Sequence, residues 1–255
     1  MMKRSPPTLF SFDRPDLIGD PLEKARLLRR AWQQGALGGE VMPEDAHPVL
    51  ELDSDVLWHY FTLGMALNYQ RNSYDLWRSA TRAFVSHEEV FRPTDVADMK
   101  ADELRNILVS SLVSLQPKKH FQSWQRICVT LSERYEGSIR NVFVACHFDI
   151  LQLSELIQGR ERKLFPNLGG TKIFNYWVHV MEVYCQIEWK HREAITIAPD
   201  THVIQSSVRL GLIPVDVVGT PLAAQMAADA GRGFLKDQIF SLLTCIPRFG
   251  SGVGL

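Results

Sequence analysis

Apolar residues recur at intervals of three and four along most of the chain, the spacing that gathers them on one face of an α-helix. Over 101–115 the set is Leu104, Ile107, Leu108, Leu112 and Leu115, and over 121–135 it is Phe121, Trp124, Ile127, Cys128, Leu131 and Tyr135. Both stretches read as amphipathic helices. The same pattern predicts helices near 21–33, 54–68, 73–85, 138–147, 149–158, 171–188, 201–210, 221–230 and 233–245. Strict alternation never lasts long enough for a sheet, and only Ile195 to Ala198 reads as a short extended stretch. Pro6, Pro7, Pro15 and Pro21 mark an irregular N-terminal arm, Gly35, Gly38 and Gly39 a link, and Gly250 to Leu255 a frayed tail. The expected fold is all-α, a two-lobed helical bundle. The arm and first helix occupy 1–50 and a central helical lobe 51–190, with C-terminal helices over 191–255 packing against the N-terminal segment.

Composition narrows the class without naming a function. The 255 residues are 45% apolar and 22% charged, enough to bury a full core, and 28 basic against 29 acidic residues leave a net charge of -1. No global positive field points to nucleic acid or an anionic membrane, so such a partner must be met by a local patch. The opening MMKRSPPTLF runs into prolines rather than an apolar core, which argues against a secretory signal and for a cytoplasmic protein. The most apolar stretch, Ile173 to Tyr184, is broken by Asn175, His179 and Glu182, so no membrane span is expected. Cys128, Cys146, Cys185 and Cys245 are scattered, with no pair spaced for a zinc or iron–sulfur site, and read as buried thiols. His147 near Cys146 and His191 near Cys185 do not complete a metal set either.

The most informative string runs from Leu164 through Pro166, Asn167, Gly169, Gly170, Thr171 and Lys172 to Tyr176, a Pro/Gly turn between helical stretches. Glycines let the backbone turn tightly and approach another chain, and Thr171 is placed to cap the next helix. The amides of such a turn can hold a phosphate without reading a base, although a plain αα-hairpin has the same look. Lys172 falls in the first turn of the following helix, where the positive end of the dipole disfavours an ammonium ion and so favours a nucleophilic amine. An exposed, solvated lysine is the ordinary alternative. Further on, Pro199-Asp200-Thr201-His202 leads into a helix ending Arg209-Leu210-Gly211-Leu212. Asp200 there reads as a helix cap, and a carboxylate held ionised at a helix start can also stabilise developing positive charge.

Taken together, these two strings resemble the helix-hairpin-helix DNA glycosylase superfamily, which includes endonuclease III and the 8-oxoguanine glycosylases. The turn is similar to that family's LPGVGxKTA pattern, and the later string to its VDTH-like segment. The resemblance spans about 110 residues, from 101 to about Leu212, and is specific only at these two places. Asn167 stands where the pattern has its first glycine, Pro199 where many members have valine, and an ungapped alignment puts Thr171 in the lysine slot. The 28-residue gap from Lys172 to Asp200 looks most like the archaeal 8-oxoguanine branch, and the four-cysteine cluster of endonuclease III is absent.

The resemblance implies a base-excision repair glycosylase with associated lyase activity, using Lys172 as nucleophile and Asp200 as its activator. It implies a damaged DNA duplex as partner, a monomer, no metal or cofactor, and an oxidised purine such as 8-oxoguanine as substrate. DNA contacts are expected from Asn167, Gly169, Gly170, Thr171, Lys118, Lys119, Arg162 and Lys163, the last four as small basic patches on either side of an extruded nucleotide. The base pocket is expected from Asn68, Tyr69, Gln70, Trp77, Tyr176 and His179, which offer stacking faces and amides. Aromatic residues at helical spacing are also core formers. A nucleoside or RNA N-glycosidase on the same scaffold, or a noncatalytic nucleic-acid binding protein, are the alternative functions.

Overall fold

The computed structural model describes residues 42–196 and 201–227, apart from 53 and 212, together with scattered positions between 23 and 34. Within these residues the chain is all-α. The helices are α1 (Asp55–Leu67), α2 (Ser73–Ser86), α3 (Pro93–Asp98), α4 (Ala101–Ser110), α5 (Lys119–Arg134), α6 (Ile139–Ala145), α7 (Ile150–Ser154), α8 (Thr171–Cys185) and α9 (Thr201–Arg209). A tenth, α10, covers 221–227. A π-helical run, Glu155–Arg160, continues α7, and a short 3-10 turn, Pro43–Ala46, precedes α1. The expected helix at 233–245, the proline arm, the glycine link, Cys245 and the tail lie outside the described residues. No helix among those described is long and apolar enough to cross a membrane.

Helix α1 organises the core because it is buried on every side, from Leu57 to Leu67, rather than along one stripe. It packs against α2, α5, α6 and α8. Aromatic residues fill the space around it, with Tyr60 against Trp77 and Phe91, and Phe143 against Trp177 and Trp189. A buried indole must satisfy its N–H. Trp124 donates to the Val90 carbonyl at 2.8 Å, Trp177 to the Thr62 hydroxyl at 3.1 Å, and Trp77 to the Glu44 carboxylate at 2.8 Å. Gly64 leaves room for this packing, since a Cβ there would lie 2.5 Å from the Trp77 ring. Buried apolar residues from Leu57 to Ala227 join in one core cluster.

Three elements differ from the sequence pattern. Helix α4 stops at Ser110, Leu112 takes a left-handed φ of 62°, and the chain turns so that Val113 is buried while Leu112 and Leu115 are each 54% exposed. Periodicity alone carries no information on where the chain leaves the helix. The short α3 packs along α5 through Pro93 and Val96, and is too brief to show a period. Its signal is the proline at its first position with Asp95 in the first turn. Helix α8 ends at Cys185 rather than 188, where Gln186 adopts a left-handed φ of 54°.

Candidate functional site

Between the π-helical run and α8 the chain makes consecutive turns over 161–170. Phe165 and Leu168 are fully buried and anchor them. Asn167, at φ 68°, turns its side-chain amide inward, donating to the Ala66 carbonyl at 3.0 Å and the Ser123 hydroxyl at 3.2 Å. The Asn167 side chain bolts the turn to the end of α1 and to α5. Thr171 is likewise not the cap. Gly170 occupies that position, with Thr171 and Lys172 as the first two helical residues. Gly170, Thr171 and Lys172 are exposed, as are Arg162 and Lys163. A helix start capped by glycine offers first-turn amides with no side-chain acceptor of the cap's own to occupy them.

The two glycines have different duties. A Cβ on Gly169 would lie 2.8 Å from the Ile157 carbonyl oxygen, whereas one on Gly170 would meet only Asn167 O at an ordinary 3.6 Å. Gly169→Ala should therefore destabilise the fold by about 1–3 kcal/mol, read as a lower denaturation midpoint. Gly170→Val should keep a denaturation midpoint close to wild type, since its side chain meets only that ordinary contact, and a midpoint lowered as far as that of Gly169→Ala would contradict the distinction.

The same end of the molecule carries the turn joining α1 to α2. Ser73 donates to the Asn68 side-chain oxygen at 2.8 Å, Gln70 has φ 52°, and the Arg71 guanidinium holds the Val113 carbonyl at 2.6 Å. Lys118 and Lys119 are exposed at the start of α5, and the Lys119 ammonium sits 5.6 Å from the centre of the Tyr69 ring. Tyr69 and Gln70 are thus exposed beside a basic group.

A cavity lies further along α8. It encloses about 700 Å³ between the Pro43–Ala46 turn, one face of α8 and the stretch 186–192. Tyr176 and His179 line it, but Asn68, Tyr69, Gln70 and Trp77 are not among its described lining residues. Trp77 is corrected as a pocket candidate, since it is a fully buried core ring, and Asn68, Tyr69 and Gln70 form the α1–α2 turn. Trp77 reaches the cavity only through Glu44. Tyr176 and His179 follow Lys172 by four and seven residues, so all three lie on one face of α8, with the two rings about 6 and 10 Å further along the axis. Their rings stack with centroids 6.5 Å apart.

The far wall is fixed by local bonds. Asp149 caps α7 through the Leu151 N–H at 2.9 Å and pairs with His191 at 2.9 Å, while the Trp189 indole donates to the Val178 carbonyl at 3.1 Å. The His191 contact is the main cause holding the Asp149 carboxyl below its ordinary range.

Burial pulls His179 down to about 4, with the Arg192 charge acting in the same direction, and burial pulls His59 in the core to about 4 as well, against opposing pulls from the Asp55 charge and a backbone hydrogen bond at Phe91. Both are neutral in the fold at a pH where the unfolded chain, titrating near 6.5, takes up protons. The unfolded state then binds more protons, so these histidines contribute stability above pH 6.5 and lose it as pH falls toward 4. For His59 alone the loss approaches about 3 kcal/mol. Denaturant unfolding at pH 7 and at pH 4.5 should show a markedly lower midpoint in acid, and an equal midpoint would contradict the buried neutral state.

Apolar spacing assigns Asn175 no role. Buried on α8, it donates to the Thr171 carbonyl at 2.8 Å and the Thr196 hydroxyl at 3.0 Å, and accepts the Thr196 N–H at 3.1 Å. Its one clue is an amide inside the buried run Ile173 to Val178, which must find partners. These bonds tie the chain at 196 to the first turn of α8, one residue from Lys172. Helix α9 starts at Thr201, within about 18 Å even of a fully extended chain leaving Thr196. Asp200 itself lies outside the described residues. Among those described, no group of three His, Cys, Asp or Glu is placed to hold a metal.

Compared with known proteins, the chain matches no family model and no curated protein.

Proposed function

We propose that this protein is a DNA glycosylase with associated lyase activity, acting on an oxidised purine. The observation that carries the reading is the single face of α8 on which exposed Lys172 leads to Tyr176, His179 and the cavity beyond. An exposed lysine one helical turn before the ring-lined cavity suits chemistry on an extruded base. The turn at 161–170, as a helix-hairpin-helix grip, holds a backbone phosphate through the first amides of α8, with Arg162, Lys163, Lys118 and Lys119 supplying charge around it.

In this mechanism the extruded nucleotide places its base in the cavity and its sugar at Lys172. Nζ attacks C1′, the C1′–N9 bond breaks, and its electron pair leaves with the base, which takes up a proton. The Asp200 carboxylate receives the proton from Nζ and stabilises the oxocarbenium-like charge on the sugar. Opening of the sugar ring gives an imine between Nζ and C1′. Loss of a C2′ proton then expels the 3′ phosphate by β-elimination and cuts the strand.

Incubation with duplexes carrying 8-oxoguanine, uracil, an oxidised pyrimidine or an abasic site tests the reading. Release of 8-oxoguanine with strand cleavage is expected, together with incision at the abasic site and poor turnover of uracil. Faster release of an oxidised pyrimidine would reject the purine assignment. Base release only from free nucleosides or RNA would make the protein an N-glycosidase of another kind, and binding without release would make it a noncatalytic nucleic-acid binding protein.

A further inference from the structure

The start of α5 gathers positive charge that its own first turn does nothing to offset. Lys118 and Lys119 open the helix, no acid stands in its first turn, and no side chain caps it. The N–H groups of Lys118, Lys119 and Phe121 make no backbone hydrogen bond among the described residues. Such a helix start favours an anion, but water satisfies exposed lysines and open amides equally well. His120 makes the difference. It is 5% exposed, and its Nδ1 accepts the Leu115 N–H at 3.2 Å and the Gln116 N–H at 3.4 Å. A ring nitrogen that accepts carries no proton, so the neutral imidazole bears its proton on Nε2. Burial, with the Arg71 and then the Lys119 charge acting in the same direction, holds the ring below its ordinary value and favours this neutral form. Nε2 donates to no protein atom among the described residues, yet it is not sealed in the core. A largely buried N–H that opens to the surface calls for an acceptor from outside the chain.

The neighbours say which kind. The Arg71 guanidinium holds the Val113 and Leu112 carbonyls at 2.6 and 3.2 Å, which sets a cation beside the turn that leads into α5. The Lys119 ammonium sits over the Tyr69 ring on the same side. An acceptor that is itself negative is favoured by all of these charges. A tetrahedral phosphate presents oxygens on several sides and can meet a ring N–H, a helix start and an ammonium at once. We infer that the start of α5 is a phosphate-binding site in its own right, with His120 Nε2 as its built donor and the first-turn amides and Lys119 around it. It is separate from the grip proposed at 161–170, for which Lys118 and Lys119 only lend charge, and it depends on neither Lys172 nor the cavity. The group can belong to a free phosphate or to the backbone of a strand, which share this chemistry.

Titration of the isotope-labelled full chain with inorganic phosphate at constant ionic strength reads the site by nuclear magnetic resonance. The Lys119 and His120 amide signals and the His120 Nε2 signal should move together and saturate. His120→Asn keeps an acceptor near the place of Nδ1 and removes the Nε2 donor, and it should weaken the titration at least ~10-fold. Lys119→Gln changes an exposed residue and should weaken it about 5-fold with the fold intact. In a second arm a short oligothymidylate replaces phosphate. Saturation of the same signals by the strand assigns the site to a backbone phosphate, and saturation by phosphate alone assigns it to a free phosphate. Wild-type signals that saturate with neither probe overturn the inference, as does a folded His120→Asn or Lys119→Gln that titrates like wild type. Base release is measured in parallel, and saturation without base release leaves the α5 site standing while the glycosylase reading falls.

Discussion

Lys172→Gln should abolish base release and abasic-site incision together, by at least ~10³-fold, while leaving the fold intact. Lys172 is exposed in the first turn of α8, and glutamine is as good a helix former. Surface replacements of this kind stay within about 0.5 kcal/mol of wild type. What is lost is the only group in the proposal that bonds to C1′, and a neutral amide cannot replace an amine in that step. Single-turnover rates on 8-oxoguanine and abasic duplexes, with an unfolding curve on the same sample, separate chemistry from folding. A variant that keeps both rates would remove Lys172 from the mechanism, and loss of activity on changing Lys163 or Thr171 instead would move the nucleophile along the turn.

Asp200→Asn should separate rate from stability in the same way. Asparagine and aspartate cap helices comparably, so α9 should hold and the unfolding midpoint should stay within about 0.5 kcal/mol of wild type. The charge that takes the Nζ proton and faces the oxocarbenium-like sugar is gone, with an expected fall of about 10²–10³ in single-turnover rate. Asn175 supports the pairing of these residues, because its bonds to Thr171 and Thr196 hold the chain at 196, four positions before Asp200 in sequence, against the first turn of α8. Near-normal turnover by Asp200→Asn would leave the residue as a cap alone.

Much of this arrangement is legible in the sequence because it is local. Helical spacing put Lys172, Tyr176 and His179 on one face, and the three-and-four pattern placed α5 within two residues at its start. The opposite wall of the cavity was not legible. Glu44 is 132 residues from Tyr176 in sequence, reads as one acid in a Pro-Glu-Asp turn, and becomes unusual only when Trp77 and the packing of α8 bury it. Trp77 reads as a pocket ring by spacing, which cannot tell a core face from a cavity face. Leu112 and Leu115 continued a helical stripe that the backbone abandons one residue earlier, at Ser111, where only side-chain and turn geometry set the exit.

Covalent trapping addresses the central claim most directly. Wild-type protein is mixed with an abasic-site duplex in the presence of borohydride, and the adduct is digested and mapped by mass spectrometry. Reduction of the proposed imine should give one stable protein–DNA adduct, with the sugar remnant on Nζ of Lys172. No adduct under conditions that trap other imines, or an adduct confined to Lys118, Lys119 or Lys163, would contradict it.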